Sequence, residues 1–345
     1  MNAKRWTAIG VALGIFIFSL FFSYYFSYIV NKQEASESIN ENLLGLFGTT
    51  VLEESLLEAG DSSKRIVVLS VDGTILTGQS SSLTGDSGYN HEFFLQQLEQ
   101  VLVDDTIKAI VLSVNSPGGG TYESAQIKDK LVTIQQATDK PIYISMGSMA
   151  ASGGYYISAS AEKIFASEET LTGSIGVIMS GMNFSELFEK IGVDDTTIKS
   201  GEFKDIGSST RAMSEGDTEI LQEMVDTSYD RFVEVIVEGR GMPEEEVRNL
   251  ADGRIYDGAQ AVENGLVDEI GYQEDAIKAI QKDYELEDAE IFSYQTPALS
   301  FSSLFTAKVS GLFQSNETME SDLDKLMTAF GTVDSPKMMY YYGGE

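Results

Sequence analysis

Residues Ile107 to Gly120 read IKAIVLSVNSPGGG, an apolar run that ends in a polar corner and three glycines. A strand that is apolar on both faces must be covered on both faces, which points to a parallel sheet. The same design recurs on either side. Upstream, RIVVLSVDGTIL (Arg65 to Leu76) predicts a buried strand ended by Asp72 and Gly73, and downstream PIYISMG (Pro141 to Gly147) predicts another. Helices are expected between them. In HEFFLQQLEQVLVDD the residues Phe94, Leu95, Leu98, Val101 and Leu102 share one helical face, and TYESAQIKDKLVTIQQA follows the glycines. KIFASEETLTGSIGVIM continues the alternation. SEGDTEILQEMVDTSYDRFVEVIVEGRG then predicts one long helix, with Ser214 and Asp217 as a capping box and Leu221, Val225, Phe232 and Ile236 as its apolar stripe. MPEEEVRNLADGRIYDGAQAVENGLVDEIG adds two short helices around a strand-like RIY. Strand and helix in alternation make an α/β fold, with no linker visible between Arg65 and Lys282.

Composition narrows the chemistry. Of 345 residues, 23 are Lys or Arg and 54 are Asp or Glu, a formal charge of −31. Nucleic-acid binding needs a concentrated basic stripe, and beyond the first 32 residues every stretch is acidic or balanced, so no nucleic-acid partner is expected. With no cysteine there is no disulfide, no thiol nucleophile and no thiolate metal site. A single histidine, His91, excludes a multi-histidine zinc site, and its place at the head of a helical pattern suggests a surface or capping role. No metal or cofactor is expected. A hydrolase built from this chain would therefore take Lys, Asp or Glu as its base.

The N-terminus reads as a membrane anchor. Trp6 to Asn31 carries no charge, Lys4 and Arg5 precede it, and Lys32 leads into the acidic QEASESINE. About 20 apolar residues suffice to cross a bilayer, and the positive-inside rule leaves the acidic body outside the cytoplasm. The organisation expected is a cytoplasmic N-terminus (residues 1–5), a transmembrane anchor (6–31), an acidic, partly helical spacer (32–60), a catalytic domain (61–283) and a C-terminal tail (284–345).

Two glycine-rich corners could carry chemistry. NSPGGG, Asn115 to Gly120, lets backbone N–H groups approach a ligand as an anion hole requires, although a plain tight turn has the same composition. It is not a P-loop, since GxxxxGK[ST] is absent there. In MAASGGYYIS, Ser152 stands among small residues that permit a sharp turn and close approach of a substrate carbonyl, as at a nucleophile elbow, or else the close packing of a helix start. A serine hydroxyl is inert without a base. Lys204, in IKSGEFKDIGSSTR, is one candidate, but the pattern does not separate it from Lys199.

The set NSPGGG, GSMAASGGYYIS, LTGSIGV, SGEFKDIGS and GRIYDGAQAVENGLVDEIG, in that order behind an N-terminal anchor, resembles the short bacterial form of the signal peptide peptidase A (SppA) family over Arg65 to Gln281. The resemblance implies the ClpP/crotonase-like spiral of repeated β-β-α units, preceded here by one N-terminal transmembrane helix. It implies a Ser-Lys serine peptidase, with Ser152 as nucleophile, Lys204 as general base, Gly119 and Gly153 as oxyanion-hole donors, and Ser174 orienting the lysine. A homo-oligomeric ring and apolar peptide substrates such as spent signal peptides follow from the same likeness. Lysine ordinarily titrates near pH 10.4, so a base at neutral pH must be lowered by about 3 units, or about 4 kcal/mol. Burial of Lys204 with Asp205 turned away is the expected means. The alternatives are an acyl-CoA enzyme of the crotonase type and a non-catalytic membrane scaffold. The tail's Met338 to Tyr342, MMYYY, has the composition of a substrate, and either docks on the body or binds the active-site groove with self-trimming.

Overall fold

The computed structural model describes residues 52–77, 89–295 and 338–343. The expected anchor lies outside them, and among the described residues no helix is long and apolar enough to cross a membrane.

The chain opens with β1 (Glu53–Glu58) and β2 (Asp61–Asp72), so the end of the expected helical spacer is strand. There follow α1 (His91–Val103), β3 (Ile107–Ser116), β4 (Gly118–Gly120), α2 (Thr121–Thr138), β5 (Ile142–Ala151) and α3 (Gly153–Ser158). Next come β6 (Lys163–Ala166), β7 (Leu171–Gly173), β8 (Ile178–Met179), α4 (Ser185–Ile191) and the long α5 (Glu215–Arg240). The body finishes with α6 (Glu244–Leu250), β9 (Ile255–Tyr256), α7 (Gly258–Glu263), β10 (Glu269–Ile270), α8 (Gln273–Asp283) and β11 (Ala289–Gln295), and β12 (Met338–Tyr341) stands apart in sequence.

The main sheet runs β1-β11-β2-β3-β5-β6-β10, and from β11 to β10 every pair is parallel. The apolar runs explain this. Ile66, Val68, Ala109, Val111 and Tyr143 form a core with Ala276 and Ile280 of α8, while Val67, Leu69, Ile110, Leu112 and Ile144, of opposite parity, are equally buried. Alternation along a strand sends the two sets to opposite faces, so both faces are covered. The sheet is mixed, because β7 runs parallel to β5 and antiparallel to β9. A second sheet has β12 in the middle, antiparallel to both β4 and β8. The sheet extends through β11, beyond the boundary at residue 283 expected from sequence.

Local chemistry sets the helix ends. Ser214 and Asp217 form the anticipated capping box of α5, and Gly241 ends that helix in the left-handed region at φ 62°. At α1 the cap is Asn90, whose side chain accepts from Phe93 N at 3.0 Å. His91 was expected at the surface or as the cap. It is instead buried, with Nδ1 2.6 Å from the Tyr89 hydroxyl and Nε2 2.9 Å from Gln126 Oε1. Polar partners on both ring nitrogens make that burial tolerable.

Candidate active site

Ser152 joins the end of β5 to the start of α3 with φ 53° and ψ −114°. That conformation costs a non-glycine residue on the order of 1–3 kcal/mol, and such strain persists only where surrounding contacts enforce it. The contacts are visible. Ser152 N–H donates to Gly173 O at 2.8 Å, and Tyr156 N–H donates back to Ser152 O at 2.8 Å. Two glycines follow because β3 and β4 press on the corner. A Cβ on Gly154 would stand 2.8 Å from Ser116 O, and one on Gly153 would stand 3.1 Å from Gly119 N and 2.7 Å from Ser124 Oγ. Asn115 fixes the other side: its Oδ1 accepts from Ser148 Oγ (2.9 Å) and Met149 N (3.3 Å), and its Nδ2 donates to Asp72 Oδ1 (2.9 Å). NSPGGG is thus tied to the strand that delivers Ser152, a role for Asn115 that sequence reasoning missed.

The Ser152 side chain is buried, and its Oγ has no hydrogen-bond partner among the described residues. Gly119 and Gly153 lie together beside it. Ser174 is close by, one residue past Gly173, with φ 47° and its N–H donating to Arg254 O at 2.8 Å. Four of the five expected site residues are therefore gathered at one corner.

Lys204 is not. It lies in the loop before α5, exposed, and makes no ion pair or side-chain hydrogen bond among the described residues. Burial within the chain's own body, the condition expected of a neutral lysine, is not met. The choice between Lys199 and Lys204 is nonetheless sharpened. Lys199 Nζ is engaged by Asp205 at 2.8 and 3.0 Å, and Asp205 is also held by Arg211 at 2.8 Å and makes no bond to Lys204, in a run of turns rather than a strand. The surrounding segment exposes apolar side chains. Met182, Leu187, Ile191, Val193, Ile198 and Phe203 are all at least 40 % accessible, Ile198 at 99 %. α4 has no buried residue.

The tail enters this corner. Tyr340 pairs with Gly119 and Met339 with Gly120, and Tyr342 N–H donates to Pro117 O at 2.8 Å. A Cβ on Gly118 would meet Tyr340 O at 2.1 Å and Gly153 N at 2.6 Å, so the Tyr340 carbonyl, Gly118 and the Gly153 amide converge at one spot. Gly118 also has φ 98°. The Tyr340 ring is buried, 4.8 Å centroid to centroid from both Tyr156 and Phe232, and its hydroxyl donates to Ser228 O at 3.0 Å. Burial pushes both phenols up, Tyr156 to about 12. An aromatic pocket beside a strained serine is the arrangement that this chain presents.

Comparisons with known proteins show the family of the chain. The sequence model of Peptidase family S49 matches residues 134–287, and that of Clp protease matches residues 87–171. A protein of Enterococcus faecium named "Putative signal peptide peptidase SppA" is 45 % identical over 349 residues, covering 100 % of both chains. Protease 4 of Haemophilus influenzae is 35 % identical over 226 residues, 66 % of this chain and 36 % of that one. The chloroplastic serine protease SPPA of Arabidopsis thaliana is 27 % identical over 271 residues, 77 % of this chain and 40 % of that one.

Proposed function

Because the chain belongs to the SppA family of serine peptidases, we propose that it is a membrane-anchored endopeptidase in which Ser152 attacks apolar peptides and Lys204 is its base. The observation that carries this reading is the buried Ser152 hydroxyl, without a hydrogen-bond partner among the described residues, on a strained backbone beside the paired glycines. Neutral Lys204 takes the Ser152 proton as Oγ attacks the peptide carbonyl. The N–H groups of Gly119 and Gly153 hold the oxyanion, for which donors about 3 Å away are required. The lysine returns its proton to the leaving amine, and then activates water against the acyl-enzyme. Ser174 orients the lysine.

An exposed Lys204 on an arm rich in exposed apolar residues argues for delivery in trans. Scattered exposed apolar side chains are ordinary, but a cluster on one projecting arm is the mark of an association surface. In the proposed ring the arm packs on a neighbouring copy and carries Lys204 to that copy's Ser152. The contact supplies the burial that a neutral lysine requires. The acidic body lies outside the cytoplasm, and the N-terminal segment holds it to the membrane.

The tail is proposed to be a substrate analogue supplied by the chain. Its antiparallel pairing with β4, its buried Tyr340 and its carbonyl near the Gly153 amide match a peptide poised for cleavage between Tyr340 and Tyr341. An extended chain added to an open strand edge is a general mode of peptide recognition. Substrates are accordingly extended apolar segments, signal peptides among them.

The test uses two inactive variants. Ser152→Ala and Lys204→Ala should each abolish hydrolysis of a fluorogenic apolar peptide while assembling normally. Mixed after dissociation and reassembly, they should recover about a quarter of wild-type activity, the share of sites joining an intact serine to a neighbour's intact lysine when copies mix at random. Normal turnover by either variant alone removes the dyad, and no recovery in mixed assemblies removes the trans arrangement.

A further inference from the structure

A carboxylate stands next in sequence to the proposed base. Asp205 would, if free, pair with Lys204 and hold it as an ammonium ion, since an opposite charge at close range favours the charged form. The fold places that carboxylate elsewhere. Asp205 Oδ1 accepts from Arg211 Nη2 and from Lys199 Nζ, each at 2.8 Å, and Arg211 Nη2 also reaches the Asp205 carbonyl at 3.3 Å. Through Nη1 and Nη2, Arg211 binds both oxygens of Asp217, the latter at 3.2 Å. Asp217 is a buried member of the α5 capping box, its carboxylate also accepting from Ser214 N at 2.9 Å. One guanidinium thus spans the Lys204 loop and the first turn of α5. A planar fork with several donors is suited to hold two carboxylates at once, which an ammonium is not.

We propose that Arg211 is a positioning residue for the base: it keeps Asp205 away from Lys204 and fastens the Lys204 loop to α5. The proposal rests on the reading of Lys204 as the base. Of the loop's other charged groups, Lys199 shares Asp205 with Arg211, binding both of its oxygens, Asp195 is held by Thr197 and Thr210, and Asp194 and Glu202 are exposed carboxylates with no partner among the described residues. The hydrogen bonds from Arg211 and Lys199 hold the Asp205 carboxyl far below the usual range, so the clamp is fully charged at neutral pH.

The experiment is a pH profile of kcat/KM on a coumarin amide of an apolar tripeptide ending in tyrosine, for wild type, Arg211→Met, Asp205→Asn, the double variant and Lys204→Ala. Arg211→Met should move the alkaline-going rise upward by about one pH unit and lower kcat/KM at pH 7 about tenfold, since one unit is tenfold in the active fraction below the midpoint. Adding Asp205→Asn should return the midpoint to the wild-type value. A lower rate at every pH with an unmoved midpoint, or no rescue in the double variant, overturns the proposal and leaves the dyad standing. Should Arg211→Met fail to assemble, Asp205→Asn still decides. Its midpoint should equal that of wild type, and a fall of more than about half a unit would mean that Asp205 already acts on the base. Normal turnover by Lys204→Ala would overturn the dyad and the proposal together.

Discussion

Replacing Tyr340 by alanine tests whether the tail competes for the groove. The ring is buried between Tyr156 and Phe232, and its hydroxyl is bonded to Ser228 O at 3.0 Å. Truncating a buried aromatic costs about 3–5 kcal/mol in a core, and the lower figure suits a groove that can admit water. At 1.4 kcal/mol per tenfold, about 3 kcal/mol lowers the equilibrium constant for docking of the tail about a hundredfold. If the occupied and free forms exchange with constant K, a peptide binds with its intrinsic Kd multiplied by 1 + K. Tyr340→Phe removes only the hydroxyl, about 1 kcal/mol or about fivefold. Fluorescence anisotropy of a labelled apolar peptide ending in tyrosine, measured with Ser152→Ala protein so that the tail stays whole, reads these factors directly. Apparent Kd should fall in the order intact tail, Tyr340→Phe, Tyr340→Ala. Three equal values, with mass spectrometry confirming an intact C-terminus, would refute the competition.

Two further outcomes follow from side chains away from the serine. The bonds to Arg211 hold the carboxyls of Asp205 and Asp217 far below the ordinary value. Depressed carboxylates lend stability that is complete above their unfolded pKa, near 3.9, and lost as pH falls through the folded value; amide protection in residues 199–217 should be constant from pH 8 to about pH 5 and collapse only below about pH 4. Lys140 is buried with Nζ donating to Val101 O at 2.6 Å and Asp104 O at 2.9 Å, closing the end of α1. Lys140→Met strands those carbonyls and should cost about 1–3 kcal/mol in chemical denaturation, without altering KM.

The sheet was legible because its strands are long apolar runs, and burial on both faces leaves no other reading of IKAIVLSV or RIVVLSV. The serine corner was legible for a related reason: small residues on both sides of Ser152 have no use except close approach. The second sheet was not. Glycine is depleted in strands, and Gly118–Gly120 becomes one only because Ile75 and Tyr340 lie on its two sides. Tyr340 itself is more than 180 residues from both of its partners, Gly119 and Tyr156, in sequence, and no local pattern reports so distant a pairing. His91 was misplaced because a lone polar residue reads as exposed until its partners, Tyr89 and Gln126, are known. Lys204 was found by family likeness, and its exposure reflects a site whose lysine, on the proposed reading, comes from elsewhere.

The three-glycine strand β4 has two flanks, and Ile75 permanently takes one. Only the other can receive a guest, which must lie flat and fully stretched against bare backbone. A folded protein offers few such ribbons, because most of its strands are already matched to one another and its edges are guarded. On the proposed reading, the neighbours of this peptidase in the membrane are spared by their own folding, and what it removes is defined by failure to fold.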